Sequence, residues 1–203
     1  KIAGFKVYHL LAERTDTFNA EAGDFLPEWA WEIADKYGLC ITLHLMLPHA
    51  LADIRNQQYV RTHCQQYRNA RLILAHGARG FCARHTIDGA HALRGLDNVY
   101  FDTSAICDPA VFETLIEIFG PTRLIYGSDF PVSELHGRPL SIGDGFYWIY
   151  EDSVDWKDWP HGELTLCGIQ SLLAVKQACQ RIYLKDSDVE RIINQALDKK
   201  KVI

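Results

Sequence analysis

Three residues whose side chains bind metals or transfer protons follow apolar stretches of this sequence. His44 follows "ITL", His76 closes "LILAH", and Asp129 follows "LIYGS". Two imidazoles and a carboxylate are ligands that zinc and similar divalent ions accept, and such an ion activates water at neutral pH. A single histidine at a strand end more often hydrogen-bonds a neighbouring loop. The sequence therefore predicts a metal-assisted site only if the three residues converge.

The elements that would position these residues are strands and helices in alternation. Five apolar runs predict β-strands: Gly4–Leu11, Leu39–Leu45, Arg71–Gly77, Asn98–Ser104 and Arg123–Pro131. Helical patterns lie between and after them: Phe25–Gly38, Ala50–Asn69, His85–Leu96, Asp108–Gly120, Leu164–Ile182 and Asp186–Lys199. Strands separated by helices predict an α/β fold with a parallel sheet and crossover helices.

Two architectures can accommodate such a sheet, an open doubly wound sheet and a (β/α)8 barrel. No strand is followed by GxGxxG or GxxxxGK[ST], the phosphate-binding patterns typical of the open sheet. The predicted strands instead end in polar residues, which are His44, His76, Asp102 and Asp129. In a barrel these ends surround one mouth, where catalytic groups gather. The pattern favours the barrel.

Composition narrows the classes of partner. The chain has 203 residues and a formal net charge of −5, without the basic patch of a nucleic-acid-binding protein. No apolar run approaches the roughly 18 residues that span a bilayer. We therefore expect a small-molecule substrate, no nucleic acid and no membrane. Six cysteines without a CxxC pattern indicate buried thiols in a reducing, cytoplasmic setting.

Several motifs together resemble the amidohydrolase superfamily, specifically the amidohydrolase-2 group that includes aminocarboxymuconate-semialdehyde decarboxylase. The similar segments are "GFKV", "ITLHL", "LILAHGARG", "NVYFDTS", "RLIYGSDFPV" and the terminal "LTLCGIQSLLAVKQACQ". The resemblance implies a (β/α)8 TIM barrel that binds a divalent metal, with zinc the first choice and manganese or another ion possible. It also implies that His44 is a metal ligand and that His76 acts as an acid/base or polarises the substrate. Asp129 would bind the metal and take a proton from the attacking water.

The sequence departs from the group at one motif, because it contains no HxH pair. We therefore expect residues 1–203 to be the C-terminal portion of a single barrel domain, about strands four to eight with the terminal helices. A loop-rich insertion is predicted at about residues 132–163. The missing N-terminal strands would have to come from elsewhere, and a homo-oligomer is expected.

Other polar and aromatic residues have predicted supporting roles. Arg79 and Arg138 lie in loops at the mouth and are candidates to bind an anionic substrate. Lys6 is predicted to be a pocket or salt-bridge residue rather than a carbamylated metal bridge, and Asp102 to hold a loop or a histidine. An aromatic cluster is predicted to form a packed lid or a dimer contact: Phe146, Tyr147, Trp148, Tyr150, Trp156 and Trp159.

Three functions remain open at this point. The first is a metal-dependent hydrolase that activates water to cleave a C–N or C–O bond. The second is a non-oxidative decarboxylase or hydratase on the same scaffold. The third is a non-catalytic remnant or partner half. Fold class alone does not distinguish them.

Overall fold

The computed structural model describes residues 2–155, 157 and 164–195. Seven strands are present in this part of the chain: β1 (Gly4–Val7), β2 (Cys40–Leu43), β3 (Arg71–Leu74), β4 (Val99–Asp102), β5 (Leu124–Ile125), β6 (Gly137–Ile142) and β7 (Gly145–Tyr150). Its helical segments are α1 (Ala22–Phe25), α2 (Glu28–Tyr37), α3 (Ile54–Gln66), α4 (Ala75–Arg79), α5 (Ala83–Ala90), α6 (Pro109–Phe119), α7 (Cys167–Arg181) and α8 (Asp186–Gln195).

The predicted parallel sheet is confirmed. Strands β1 to β5 form one sheet in sequential order, and every neighbouring pair is parallel. Side chains such as Ile41, Leu72 and Phe101 have no exposed surface. Apolar runs of this kind form strands that are covered on both faces. Because all five strands run the same way, their carboxyl ends lie at one edge of the sheet.

Helix boundaries follow the local capping signals. Gly38 ends α2 in the left-handed conformation, as the sequence predicts for a glycine C-cap. The side chains of Asp53 and Asp108 cap α3 and α6 by accepting backbone N–H groups of the first turn. Apolar faces of these helices pack on the sheet, with Trp31 of α2 fully buried. The caps thereby fix where α2 ends and where α3 and α6 begin.

The stretch predicted as a loop-rich insertion contains a β-hairpin. Strands β6 and β7 pair in antiparallel register, from Gly137 opposite Tyr150 to Ile142 opposite Gly145. Gly143 and Asp144 make the two-residue turn, and Gly143 supplies the positive φ of 58° that such a turn needs. Phe146 and Trp148 then pack their rings against Phe81. Trp156 and Trp159 of the predicted aromatic cluster lie outside the described residues.

Several strands are shorter than predicted. The run Arg71–Gly77 is strand only to Leu74, because the residues from His76 onwards adopt left-handed backbone conformations. The run Arg123–Pro131 is reduced to Leu124–Ile125. In both places an apolar pattern extends toward a polar residue, but the polar residue itself lies on a turn.

Burial of the cysteines agrees with the prediction. All six are thiols with at most 8% of their surface exposed. Across the described residues, no helix combines the length and apolar character that a bilayer crossing requires.

Candidate metal site at the carboxyl edge of the sheet

The three residues predicted to bind a metal or transfer protons all follow strands at the carboxyl edge of the sheet. His44 comes directly after β2, and His76 comes two residues after β3. Asp129 lies four residues beyond β5. The parallel register therefore brings three separate segments to one side of the molecule. It does not by itself fix the distances between their side chains.

His44 and His76 form a close pair, which we call the histidine pair. Their ring centroids are 4.9 Å apart in an edge-to-face arrangement. His76 is only 3% exposed. The Nδ1 atom of His44 is buried and has no hydrogen-bond partner within the described part of the chain. A buried ring nitrogen without a partner is the arrangement expected where a ligand completes the bonding.

Hydrogen bonds to Ser104 determine which nitrogen of His76 carries the proton. Nδ1 lies 3.2 Å from the carbonyl oxygen of Ser104, which can only accept, and 2.9 Å from its Oγ. The Ser104 hydroxyl donates its own hydrogen to Asp102 Oδ1 at 2.7 Å. Nδ1 of His76 is therefore the donor, and the neutral ring keeps its lone pair at Nε2. Nε2 is therefore the atom of His76 that can bind a metal or accept a proton.

His76 lies at the start of a turn whose backbone is in the left-handed conformation. His76, Gly77, Ala78 and Arg79 have φ values of 56°, 54°, 64° and 60°. For residues other than glycine this conformation costs about 1–2 kcal/mol each, so it persists only where surrounding contacts enforce it. Asp102 provides one such contact, because its Oδ1 accepts from His76 N at 2.7 Å and from Ser104 N at 3.1 Å. Asp102 thus holds the turn and the histidine, as the sequence predicts.

The local electrostatics keep His44 neutral. Burial is the largest cause that lowers its pKa to about 3, and the neighbouring His76, Arg79 and His9 contribute. A metal binds the neutral imidazole, so no proton has to leave His44 at neutral pH. Together with the unpartnered Nδ1, this makes the histidine pair chemically suited to a divalent metal.

Asp129 does not contact the histidine pair directly in the described hydrogen bonds. Its Oδ1 lies 3.4 Å from the ammonium of Lys6, which confirms the predicted salt-bridge role of that lysine. The same ammonium lies 4.8 Å from the Tyr8 ring, and the Tyr8 ring stacks 6.0 Å from the ring of His44. The backbone of Asp129 is also left-handed, with a φ of 53°. Asp129 is therefore linked to the pair through Lys6 and Tyr8.

The two candidate substrate-binding arginines both anchor loops. Arg79 Nη1 donates to the carbonyl of Leu47 at 2.7 Å, and its guanidinium lies 5.5 Å from the Phe146 ring. Arg138 Nη2 donates to the carbonyl of Cys107 at 3.0 Å. The Nε atom of Arg138 is buried and has no hydrogen-bond partner in the described residues. Each guanidinium therefore contacts a backbone carbonyl, and the Nε–H of Arg138 is a further hydrogen-bond donor.

Sequence reasoning missed His9. It lies 6.3 Å from His44 between ring centroids, and its Nδ1 is 2.9 Å from Thr17 Oγ1. The signal was present, because His9 follows β1 by two residues, as His76 follows β3. Ser104 was also missed as the partner of His76.

A second group of potential ligands was missed as well. His49, His85 and Asp144 place one ligand atom each within 4.8 Å of one another, and no other group of three His, Cys, Asp or Glu among the described residues does so. The three residues come from distant segments without any motif-like spacing. The histidine pair and Asp129 do not meet that distance limit together.

A cavity of about 630 Å³ lies at the opposite end of the sheet. Its lining includes Gly38, Arg71 and Asn98, which precede or begin β2, β3 and β4. None of the predicted site residues lines it. The histidines that could bind a metal therefore lie at the carboxyl edge, away from this cavity.

Comparison with known families gave one match. A family model for amidohydrolases, Amidohydro_2, matches residues 8–159. Comparison with curated proteins found no match.

Comparison with solved structures found an amidohydrolase from Burkholderia multivorans in two crystal forms. The form with bound zinc is 15% identical, covers 100% of this chain and 65% of that chain, and gives a TM-score of 0.57. The form with bound HEPES is 15% identical, covers 97% of this chain and 63% of that chain, and gives a TM-score of 0.54. At this identity the likeness shows the fold alone.

A further similar structure is the IDCase of Metarhizium anisopliae in its apo form. It is 17% identical, with 89% of this chain and 55% of that chain covered, and its TM-score of 0.48 is too low to support an argument. The chain therefore spans between half and two thirds of the length of these relatives.

Proposed function

The chain belongs to the amidohydrolase family that matches residues 8–159, and from this premise we propose that it carries the catalytic residues of a metal-dependent hydrolase. The observation that carries the proposal is the histidine pair. His44 is neutral with a buried, unpartnered Nδ1, and it lies beside a histidine whose lone pair is at Nε2. Strained backbone at His76 supports a functional role, because such strain collects at reactive sites.

We assign His44 and Asp129 as the residues that would hold the metal. Zinc is the first candidate, because imidazole and carboxylate ligands suit it, and manganese is an alternative. When bound, such an ion lowers the pKa of water and polarises a carbonyl group. Asp129 would exchange the Lys6 ammonium for the metal as its cationic partner and accept a proton from the attacking water.

His76 is assigned as the second catalytic residue. Its Nδ1–H is fixed on Ser104, so only Nε2 is free to receive a proton, and the proton that Asp129 takes from water would reach the leaving group through Nε2. Arg79 and Arg138 are assigned to bind an anionic part of a small substrate. The unpartnered Nε of Arg138 is the donor available for that contact.

We further propose that the sheet belongs to a (β/α)8 barrel completed by strands outside this sequence. Sequential order of five parallel strands is the order found in a barrel. Five strands do not close an eight-stranded barrel, and two open edges favour pairing with other chains. In this proposal residues 1–203 are the C-terminal portion of one domain, the added strands supply the remaining metal ligands, and the protein forms a homo-oligomer.

The test is to measure hydrolysis of a panel of amides, esters and lactones, with zinc added, by a protein that includes the strands completing the barrel. Asp129→Asn keeps the size of the side chain and removes the base. It should lower kcat by roughly 10²-fold or more, the usual range for general acid–base catalysis. Asp152→Asn is the matched control, since Asp152 is an exposed carboxylate beyond β7, and it should leave kcat unchanged.

Four results would contradict the proposal. Wild-type turnover by Asp129→Asn would remove Asp129 from the chemistry. Release of carbon dioxide from carboxylate substrates, without any hydrolysis, would favour the decarboxylase alternative, and addition of water to a double bond the hydratase. A protein that binds zinc nowhere and converts no substrate would favour the non-catalytic remnant.

A further inference from the structure

His49, His85 and Asp144, which we call the hairpin triad, form a second group of metal-binding side chains. They share no residue with the histidine pair. His49 follows β2 by six residues, His85 lies in α5, and Asp144 is in the turn of the β6–β7 hairpin. His49 Nε2 lies 3.0 Å from Asp144 Oδ2, and His85 Nε2 lies 3.2 Å from Asp144 Oδ1. Both imidazoles therefore present the same nitrogen to one carboxylate.

The spacing of these atoms suits a tetrahedral ion. With metal–nitrogen and metal–oxygen bonds of about 2.0–2.2 Å, neighbouring ligand atoms in a tetrahedron lie about 3.3–3.6 Å apart. The two observed nitrogen–oxygen distances are a few tenths of an ångström shorter, and all three ligand atoms lie within 4.8 Å. Because the two imidazoles approach different oxygens of Asp144, an ion bound through one of these oxygens requires that side chain to rotate.

The fold brings the carboxylate to the histidines by contacts that do not involve the triad. Phe146 and Trp148 of the hairpin pack against Phe81, and Ser141 Oγ accepts from the backbone N–H of Ala83 at 3.3 Å. Asp144 projects from a two-residue turn between these anchored strands. Its position is thus determined by packing and not only by attraction to the imidazoles. Preorganised ligands of this kind favour metal binding.

Burial and charge around the triad leave a path for the ion. His85 is 4% exposed at its side chain, whereas His49 and Asp144 are 51% and 58% exposed. One ligand is therefore anchored inside the fold and two face solvent, so water has access to a fourth ligand position. The nearby cation Arg84 forms an ion pair with Asp88 at 3.1 Å, which offsets its charge. The ligand set of two imidazoles, one carboxylate and water is one that zinc accepts.

We propose that the hairpin triad is a zinc site that holds the β6–β7 hairpin against α5 and the segment after β2. The hairpin carries Arg138 and Phe146, and Phe146 lies beside Arg79. A metal at the triad would therefore order the hairpin that carries Arg138 and that places Phe146 beside Arg79. This role is structural and independent of the hydrolytic reaction proposed above.

The test is zinc binding to the full chain, by titration calorimetry and by metal content after dialysis. Asp144→Asn and His49→Gln change exposed side chains, so both variants should fold. Each should lose one zinc equivalent or bind it more than about 100-fold more weakly, the upper end of the loss seen for outer-shell partners. The matched controls Asp152→Asn and His91→Gln, at exposed residues outside the triad, should bind zinc as the unaltered chain does.

Variants of the histidine pair distinguish the two proposals. His44→Gln should leave the triad's zinc equivalent in place, so a loss confined to His44→Gln would assign the ion to the histidine pair and overturn the triad. Failure of the unaltered chain to bind zinc, or binding that persists in Asp144→Asn and His49→Gln, would also overturn it. Hydrogen exchange of residues 137–150 provides a second readout, because zinc should slow exchange there in the unaltered chain and not in Asp144→Asn.

Discussion

The histidine pair and the hairpin triad contain the same kind of ring contact in opposite electrostatic surroundings. His44 and His76 meet edge to face at 4.9 Å, and His49 and His85 meet edge to face at 5.4 Å. In the triad a carboxylate lies between the rings, and His85 is the largest cause that lowers the pKa of Asp144. In the pair the neighbours are other bases and Arg79, and burial lowers the pKa of His44.

This difference is the basis on which we propose different roles for the two imidazole pairs. The triad contains its own negative charge and lies on regular elements, a helix and a hairpin turn. In the proposed site the pair is completed by a carboxylate beyond β5, Asp129, which is paired with Lys6. The pair also requires a strained left-handed turn at His76. Backbone strain is typical of a reactive site, whereas ligands on regular elements suit the role of holding the hairpin that we propose for the triad.

Among the effects that distinguish the histidine pair from the hairpin triad, lowering the pH should change the free energy of unfolding most. The pKa of His44 is lowered to about 3 in the folded chain, against 6.5 for an unperturbed histidine. The unfolded chain therefore binds a proton at this residue that the folded chain does not. The stability present above about pH 6.5 should fall, by a few kcal/mol at most, as the pH is lowered from there toward 3.

The measurement is the free energy of unfolding in urea at several pH values, with a chelator present. His44→Gln should show a shallower loss of stability between pH 6.5 and 4 than the unaltered chain does. His91→Gln, at an exposed histidine, should retain the steeper dependence. Identical slopes for His44→Gln and the unaltered chain would mean that His44 is not held neutral by its surroundings.

A smaller effect should separate the two carboxylates that hold the imidazoles. Asp102 Oδ1 accepts from His76 N, Ser104 N and Ser104 Oγ, so Asp102→Ala leaves three donors without their acceptor. We expect a loss of about 1–3 kcal/mol for Asp102→Ala and a milder loss for Asp102→Asn, whose amide oxygen still accepts. Asp144→Ala removes an exposed carboxylate and should lower stability by less than about 1 kcal/mol without metal.

Thermal or urea unfolding in the presence of a chelator measures all three variants. If Asp144→Ala were as destabilising as Asp102→Ala, the contrast between a partly buried carboxylate that holds the turn and an exposed ligand would be wrong. If Asp102→Asn were as destabilising as Asp102→Ala, a charged acceptor would be required at the turn.

The smallest expected effect tests the strain itself. Ala78 has a φ of 64° and no exposed surface. Ala78→Gly should relieve about 1–2 kcal/mol of left-handed strain, while added chain flexibility and the lost methyl group offset most of this gain. The net change in the free energy of unfolding should be within about 0.5 kcal/mol.

Ala30→Gly provides the matched comparison in a regular helix. Ala30 is 2% exposed in α2, and the same substitution there should cost about 1–2 kcal/mol, because glycine is a poor helix former and a buried methyl group is lost. Equal losses for the two variants in urea unfolding would show that the turn at His76 stores no strain.

The sequence by itself determined the sheet and the side of it that carries the chemistry. Apolar runs separated by helical patterns are local signals, and they correctly predicted five parallel strands. Because parallel strands end at one edge, the positions of His44 and His76 after β2 and β3 were enough to predict that they share an edge. The capping glycine at Gly38 was predictable for the same reason, since it depends on nearby chain, and the holding role of Asp102 was predictable because Asp102 ends a strand at the same edge as His76.

Only the tertiary structure decided how the side chains are arranged at that edge. The proton position on His76 depends on Ser104, 28 residues away, and the partner of Asp129 is Lys6, 123 residues away. The hairpin triad joins His85 to Asp144 across 59 residues. Such contacts leave no periodic pattern, because a residue's own neighbours in the chain do not determine which distant side chain packs against it. The left-handed turn at His76 was hidden for the same reason, since its strain is maintained by contacts from β4 and the residues after it.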